Sequence, residues 1–148
     1  MELIRILFWF SSICIMPLWI LMIFFPNQEI TKKIVGNPLC LLPMLISYSI
    51  AVIPTIPELL ITFSTKMPTP EIVIDLFDDE NTRMLGWLHF LALDTLGGRW
   101  IWNRFQSNPK PLYQSAPTLF FCMMIAPLGI LIGLILTKEI NQSQIHSE

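Results

Sequence analysis

Four stretches of this chain are each apolar for close to the ~20 residues that an α-helix needs to cross bilayer hydrocarbon. They run from about Leu3 to Phe25, Pro38 to Phe63, Met84 to Trp102 and Ala116 to Leu136, followed by a polar tail over 137–148. In hydrocarbon no water pairs with backbone N–H and C=O groups, so such stretches must be helical. Composition agrees. Of the 148 residues 53% are hydrophobic and 14% charged, against roughly 25% charged in a soluble domain. The expectation is an all-α membrane protein of one domain, a four-transmembrane-helix up-down bundle with the lipid bilayer as its first partner.

The links fit that picture. Pro26-Asn27 ends the first stretch, Asn37-Pro38 opens the second, and Asn108-Pro109 with Pro111 separates the third from the fourth. Short links make successive helices antiparallel neighbours. The longer link, Ser64 to Arg83, contains Thr69-Pro70-Glu71, the pattern of an N-cap, a first-turn proline and a first-turn acid. Ile72, Val73, Leu76 and Phe77 follow at helical spacing, with Glu71, Asp75, Asp78, Asp79 and Glu80 on the polar side. This predicts a short amphipathic helix between the second and third spans, at the interface or as a cap on the bundle mouth. Pro54 and Pro57 should bend or break the end of the second helix. They place Glu58 at that distortion, facing a cavity or reaching the headgroups. Lysines and arginines divide evenly between the two sides, so the charge rule sets no orientation.

The first stretch exceeds the ~7–15 apolar residues of a signal core, and no A-x-A-like site follows it. It is expected to be retained. No serine- and arginine-rich transit segment precedes it, so the expectation is a bacterial chain or one made inside its own organelle. The net charge of −2 offers no basic surface for nucleic acid. Cys14, Cys40 and Cys122 lie in different apolar segments without a CxxC pair and read as free thiols. His146 is in the polar tail, leaving His89 as the one histidine in a span, so neither bis-histidine haem ligation nor a closed zinc site has its ligands. The acidic link lacks EF-hand spacing. No metal or cofactor is expected.

The third stretch, Gly86-Trp-Leu-His-Phe-Leu-Ala-Leu-Asp-Thr-Leu-Gly-Gly-Arg-Trp-Ile-Trp102, is the most informative. It puts His89, Asp94 and Arg99 in one apolar span, where a central charge costs at least ~2.5–3.5 kcal/mol. Asp94 must be protonated there or paired with a cation. His89 is its partner within the chain if the helix bends. On a regular helix the five-residue steps separate His89, Asp94 and Arg99 by roughly 140° and ~7.5 Å each, so they do not form one stripe. Arg99, Trp100 and Trp102 near the end of the span suit an interfacial anchor. Ten Phe, five Trp, two Tyr and eight Met would suit a flat apolar ligand such as an isoprenoid or pigment, or ordinary lipid-facing packing.

The same segment resembles the G-W-x-H-[YF]-L-A-x-D-x-x-x-G-R-W signature of the ABA-deficient-4-like family of plants, algae and cyanobacteria. Pro117-Thr-Leu and Ala126-Pro127-Leu128-Gly129 resemble the family's P-x-L and GPLG patterns, with alanine in place of the first glycine. Pro17-Leu-Trp19 resembles its P-x-W. The resemblance implies four membrane helices and a role in carotenoid metabolism, in the thylakoid or plasma membrane of a cyanobacterium or in a plastid membrane. It also implies the formation of neoxanthin from violaxanthin. Opening an epoxide to an allene needs a proton donor and a base rather than a redox cofactor, and His89 and Asp94 are the candidates. Trp87, Arg99, Trp100 and Glu58 are the candidates for holding the carotenoid. Two other readings stay open. One is a non-catalytic carotenoid-binding or assembly factor with membrane-protein partners. The other is a small transporter-like subunit.

Overall fold

The computed structural model describes residues 2–67 and 69–138. The polar tail from 139 onward, with His146, lies outside the described residues. Within them every regular element is helical: α1 (Glu2–Phe24), α2 (Glu29–Val35), α3 (Leu42–Val52), α4 (Ile56–Thr65), α5 (Pro70–Leu76), α6 (Glu80–Ser107), α7 (Leu112–Met124) and α8 (Ala126–Leu136), with 3-10 turns at Pro38–Leu41 and Ile53–Thr55. The chain divides into two compact units. One holds the chain up to Cys14 together with Leu42–Ala92; the other holds Ile15–Leu41 and the chain from Leu93 onward. By these bounds α1 and α6 each contribute to both.

In the first unit α1 and α6 run in the same direction. Arg5 pairs with Glu80 at 2.7 Å, and the Phe8 ring lies 6.4 Å from that of Trp87. The α3 helix runs against them: Tyr48 meets His89, while the later Pro54 shares a small cavity with Leu3 and Leu85. The expected break at the paired prolines is present. The 3-10 turn ends α3, Thr55 Oγ1 donates to the Val52 carbonyl at 2.8 Å, and Pro57 enters the first turn of α4. The expected short helix is α5, with Pro70 in its first turn after an extended Thr69. Only Ile72 and Leu76 on it are half-buried. Asp79 precedes α6 and accepts from the Thr82 amide at 3.0 Å, the N-cap bond that leaves one fewer amide unpaired.

The second unit packs around Trp19, Met22, Ile101, Trp102, Phe105, Leu119 and Cys122, all buried. A Cβ on Gly98 would overlap the Trp19 ring, so glycine is what admits the indole against α6. Trp102 Nε1 and Gln106 Nε2 both donate to the Pro26 carbonyl, at 3.1 and 3.0 Å. The α8 helix runs alongside α6 in the same direction: Ile130 lies on Gly97 and Gly133 on Ile101, and Thr137 meets Arg104. The α7 helix runs the other way. Its first residue, Leu112, shares a hollow with Phe24–Gln28, and Cys122 near its end packs on Gly129, next to the Ile130 that lies on Gly97.

The fourth apolar stretch therefore departs from expectation. The sequence predicts one helix over 116–136, but the chain makes two, folded back on each other as a hairpin. Pro127 has no N–H to donate and its ring excludes the carbonyl four residues earlier, which ends a helix there. Ile125 takes φ −148° and ψ 78°, outside the helical region, and Pro127 then sits in the first turn of α8. Gly129 lies so close to the Cys122 backbone that a Cβ would overlap it. The rises of α7 and α8 are ~20 and ~17 Å, each short of the ~30 Å hydrocarbon thickness. Two other runs are long and apolar enough to cross a membrane: Glu2–Phe24 and Pro38–Thr65. By contrast α6, at 28 residues, is long enough but more polar.

Candidate functional site

The α6 helix carries all but one of the residues singled out from sequence, and its regular winding decides which can act together. It is an uninterrupted α-helix from Glu80 to Ser107, so it supplies no bend to join His89 to Asp94. The two stand ~140° apart around the axis, and the structure does not bring them together. The His89 ring lies 5.2 Å from the Tyr48 ring and 6.4 Å from that of Phe90, and it is exposed. Trp87 is exposed beside Phe8.

Asp94 is half-buried. Its carboxyl has no hydrogen-bond or ion-pair partner among the described residues. Three residues past Cys122 the helix breaks at Ile125, whose carbonyl accepts the Leu128 and Gly129 amides as α8 starts. The Ala-Pro-Leu-Gly sequence thus has a physical role. Pro127 starts α8, and Gly129 lets it close on Cys122.

Arg99 does something other than anchor at an interface. Its Nε donates to the Val35 carbonyl and its Nη2 to that of Gly36, both at 2.7 Å. These are carbonyls at the C-terminal end of α2, where unpaired carbonyls and the helix dipole both favour a cation. Two of the five guanidinium N–H groups are thereby committed to the fold. Trp100 is exposed, and the Arg104 guanidinium carbon lies 5.4 Å from its ring centroid. Glu58 is exposed in the first turn of α4 and lines a cleft of about 580 Å3 with Lys66, Asp75 and Asp79. No residue of the Trp87–Trp100 segment lines that cleft.

Sequence reasoning missed Trp102 and Gln106 as a pair. Their i, i+4 spacing puts both on one helix face, but nothing in the sequence names the Pro26 carbonyl as their acceptor. It also missed Thr137, which is buried. Among the described residues no group of three His, Cys, Asp or Glu could hold a metal ion.

Fold and site together define an all-helical protein in which a tryptophan- and glycine-rich helix presents one carboxyl to a helical hairpin. The chain belongs to the ABA DEFICIENT 4-like family, whose profile matches residues 6–132. It is 28% identical over 138 residues to the protein ABA DEFICIENT 4, chloroplastic, of Arabidopsis thaliana, covering 90% of this chain and 61% of that relative. The chain thus spans about three fifths of the relative's length. No solved structure matches.

Proposed function

We propose that this chain acts in carotenoid metabolism in a plastid membrane, and that Asp94 exchanges a proton with an epoxy-carotenoid. The observation that carries this reading is Asp94 itself. It stands within the family signature, half-buried in the middle of α6, with no cation beside it among the described residues. The family membership supports the substrate class, and the relative's chloroplastic designation supports the membrane. In the membrane, α1, the run from Pro38 to Thr65 and α6 cross the bilayer, while α7 and α8 enter and leave on one side. Broken helices of this kind are tolerated at membrane depth where they line a cavity or are buried in protein.

An epoxide-to-allene isomerisation moves one proton. The carbon–oxygen bond opens, the adjoining polyene carbon gives up its proton, and the oxygen gains one. No electrons are exchanged. One carboxyl can perform both transfers in turn, so separation from His89 is no obstacle. Expression in a host that accumulates violaxanthin, followed by pigment chromatography, tests this. Neoxanthin should form with the wild-type chain and fall at least ~100-fold with Asp94→Asn, the scale of a lost acid–base group. Equal conversion by the variant would sink the assignment.

A second reading, a non-catalytic carotenoid-binding or assembly factor, draws support from Arg99. A signature arginine spent on capping α2 is a scaffold residue, and a signature can preserve a scaffold. Carotenoid that co-purifies without conversion would favour this reading over the first.

A further inference from the structure

The strongest feature outside the Asp94 region is a cavity of about 590 Å3 in the second unit, between the last turns of α6 and α8. Two cations line it, Arg104 and Lys138, and among the described residues none of its lining is acidic. Arg104 is held in place rather than free to wander. Its Nε donates to Thr137 Oγ1 at 3.0 Å, and that hydroxyl is itself fixed by donating to the Gly133 carbonyl at 2.8 Å. Thr137 is 1% exposed. The Trp100 ring lies against the guanidinium, which adds a cation–π contact. With Nε used, the four N–H groups on the terminal nitrogens have no partner among the described residues and remain for a ligand. Asn103 and Ser107 add polar groups one turn apart on the same helix.

An arginine fork, an ammonium and neutral polar groups around one cavity match a tetrahedral oxyanion. The apolar part of the lining is of another character. Leu134 and Ile135 line the cavity from α8 and are 37% and 62% exposed. That pairing of cationic and exposed apolar lining at the ends of two helices fits an amphiphile and not a free ion. We propose that this cavity binds the phosphate or sulfate headgroup of an anionic membrane lipid. Arg104 and Lys138 hold the oxyanion, and an acyl chain runs along Leu134 and Ile135. The site is separate from any chemistry at Asp94 and does not rest on it.

The test is lipid retention by the purified full chain, read by native mass spectrometry in nanodiscs or micelles titrated with phosphatidylglycerol or phosphatidylcholine. Phosphatidylglycerol should be retained at least ten times more tightly than phosphatidylcholine. Arg104→Gln with Lys138→Glu should abolish that preference, and Arg104→Lys should weaken it, because it keeps the charge but loses the fork. Lys33→Gln, a change at an exposed cation outside the cavity, should leave it intact. Lys138→Glu alone keeps the Arg104–Thr137 bond, so its expected loss of preference reads the cavity even if the double variant misfolds. Equal retention of both lipids, or an unchanged preference in Lys138→Glu, would overturn the proposal. Soluble glycerol phosphate should not displace the lipid at matched concentration. Displacement would overturn the lipid assignment.

Discussion

Gly129 packs directly on the backbone of Cys122, seven residues earlier in the chain, and a Cβ at that position would overlap the Cys122 N and Cα atoms. On one continuous helix these residues would be two turns, ~10.5 Å, apart along the axis. The contact is therefore the geometric signature of the α7–α8 hairpin. A methyl added here meets backbone, which cannot rotate away. Gly129→Ala should destabilise the protein by ~1–3 kcal/mol, the usual cost of overpacking. Thermal denaturation in detergent would show it, and Ala126→Gly, the family's own variation, should be far milder.

The hairpin also fixes which ends share a side. Lys110 precedes α7 and Lys138 follows α8, and α8 parallels the last turns of α6. Single cysteines placed at these two positions, in a chain with Cys14, Cys40 and Cys122 replaced by alanine, should react with an impermeant maleimide from the same side of sealed vesicles. A fourth crossing would put them on opposite sides.

Arg99 offers a stability prediction with a definite mechanism. Arg99→Ala removes two charge-assisted bonds to the Val35 and Gly36 carbonyls. Bonds to charged groups contribute ~1.5–3 kcal/mol each, and Val35 is 1% exposed. A loss of about 2–4 kcal/mol, without full additivity, should appear as a lowered melting temperature. Arg99→Lys should recover part of it, since one ammonium cannot reproduce the fork.

These three residues mark how far the sequence could be read. The helical class, the break at Pro54 and Pro57 and the short helix at Pro70 followed from local rules, because proline acts on its own neighbours. The hairpin did not. Pro127 signalled a helix boundary, but the fold-back depends on Gly129 meeting Cys122, a tertiary contact that no local period encodes. Apolar length alone counted α7 and α8 as one span. The acceptors of Arg99 were hidden for the same reason. Its spacing from Trp100 and Trp102 fits an interfacial anchor, and its acceptors lie more than sixty residues away in sequence.

Glu71 gives a pH dependence outside the apolar segments. Its own amide and the Thr69 side chain hold its carboxyl below the ordinary value of 4.5. A depressed carboxyl stabilises the folded form above the unfolded pKa, and that contribution is lost as pH falls through the folded pKa. The start of α5 should therefore loosen only at pH below 4.5. Protection of the Val73 and Ile74 amides, relative to their intrinsic exchange at each pH, would follow it, and Glu71→Gln should make that protection insensitive to acid.

His89 and Asp94 should respond differently to substitution, because regular winding of α6 sets them ~140° apart around its axis. His89 contributes a ring packed on Tyr48, and an aromatic pair of this kind contributes ~0.5–1.5 kcal/mol. His89→Phe keeps a ring of similar shape, so it should fold, melt within a few degrees of wild type and convert pigment at a comparable rate. Asp94→Asn keeps the volume of the side chain and removes its ability to exchange a proton. It should keep or raise the melting temperature, since a neutral amide is cheaper than a carboxylate in a half-buried apolar setting, while conversion falls. The two variants measured side by side separate packing from chemistry. Were His89→Phe to lose conversion as completely as Asp94→Asn, the two groups would be acting on one substrate, and α6 would have to bend in the working protein.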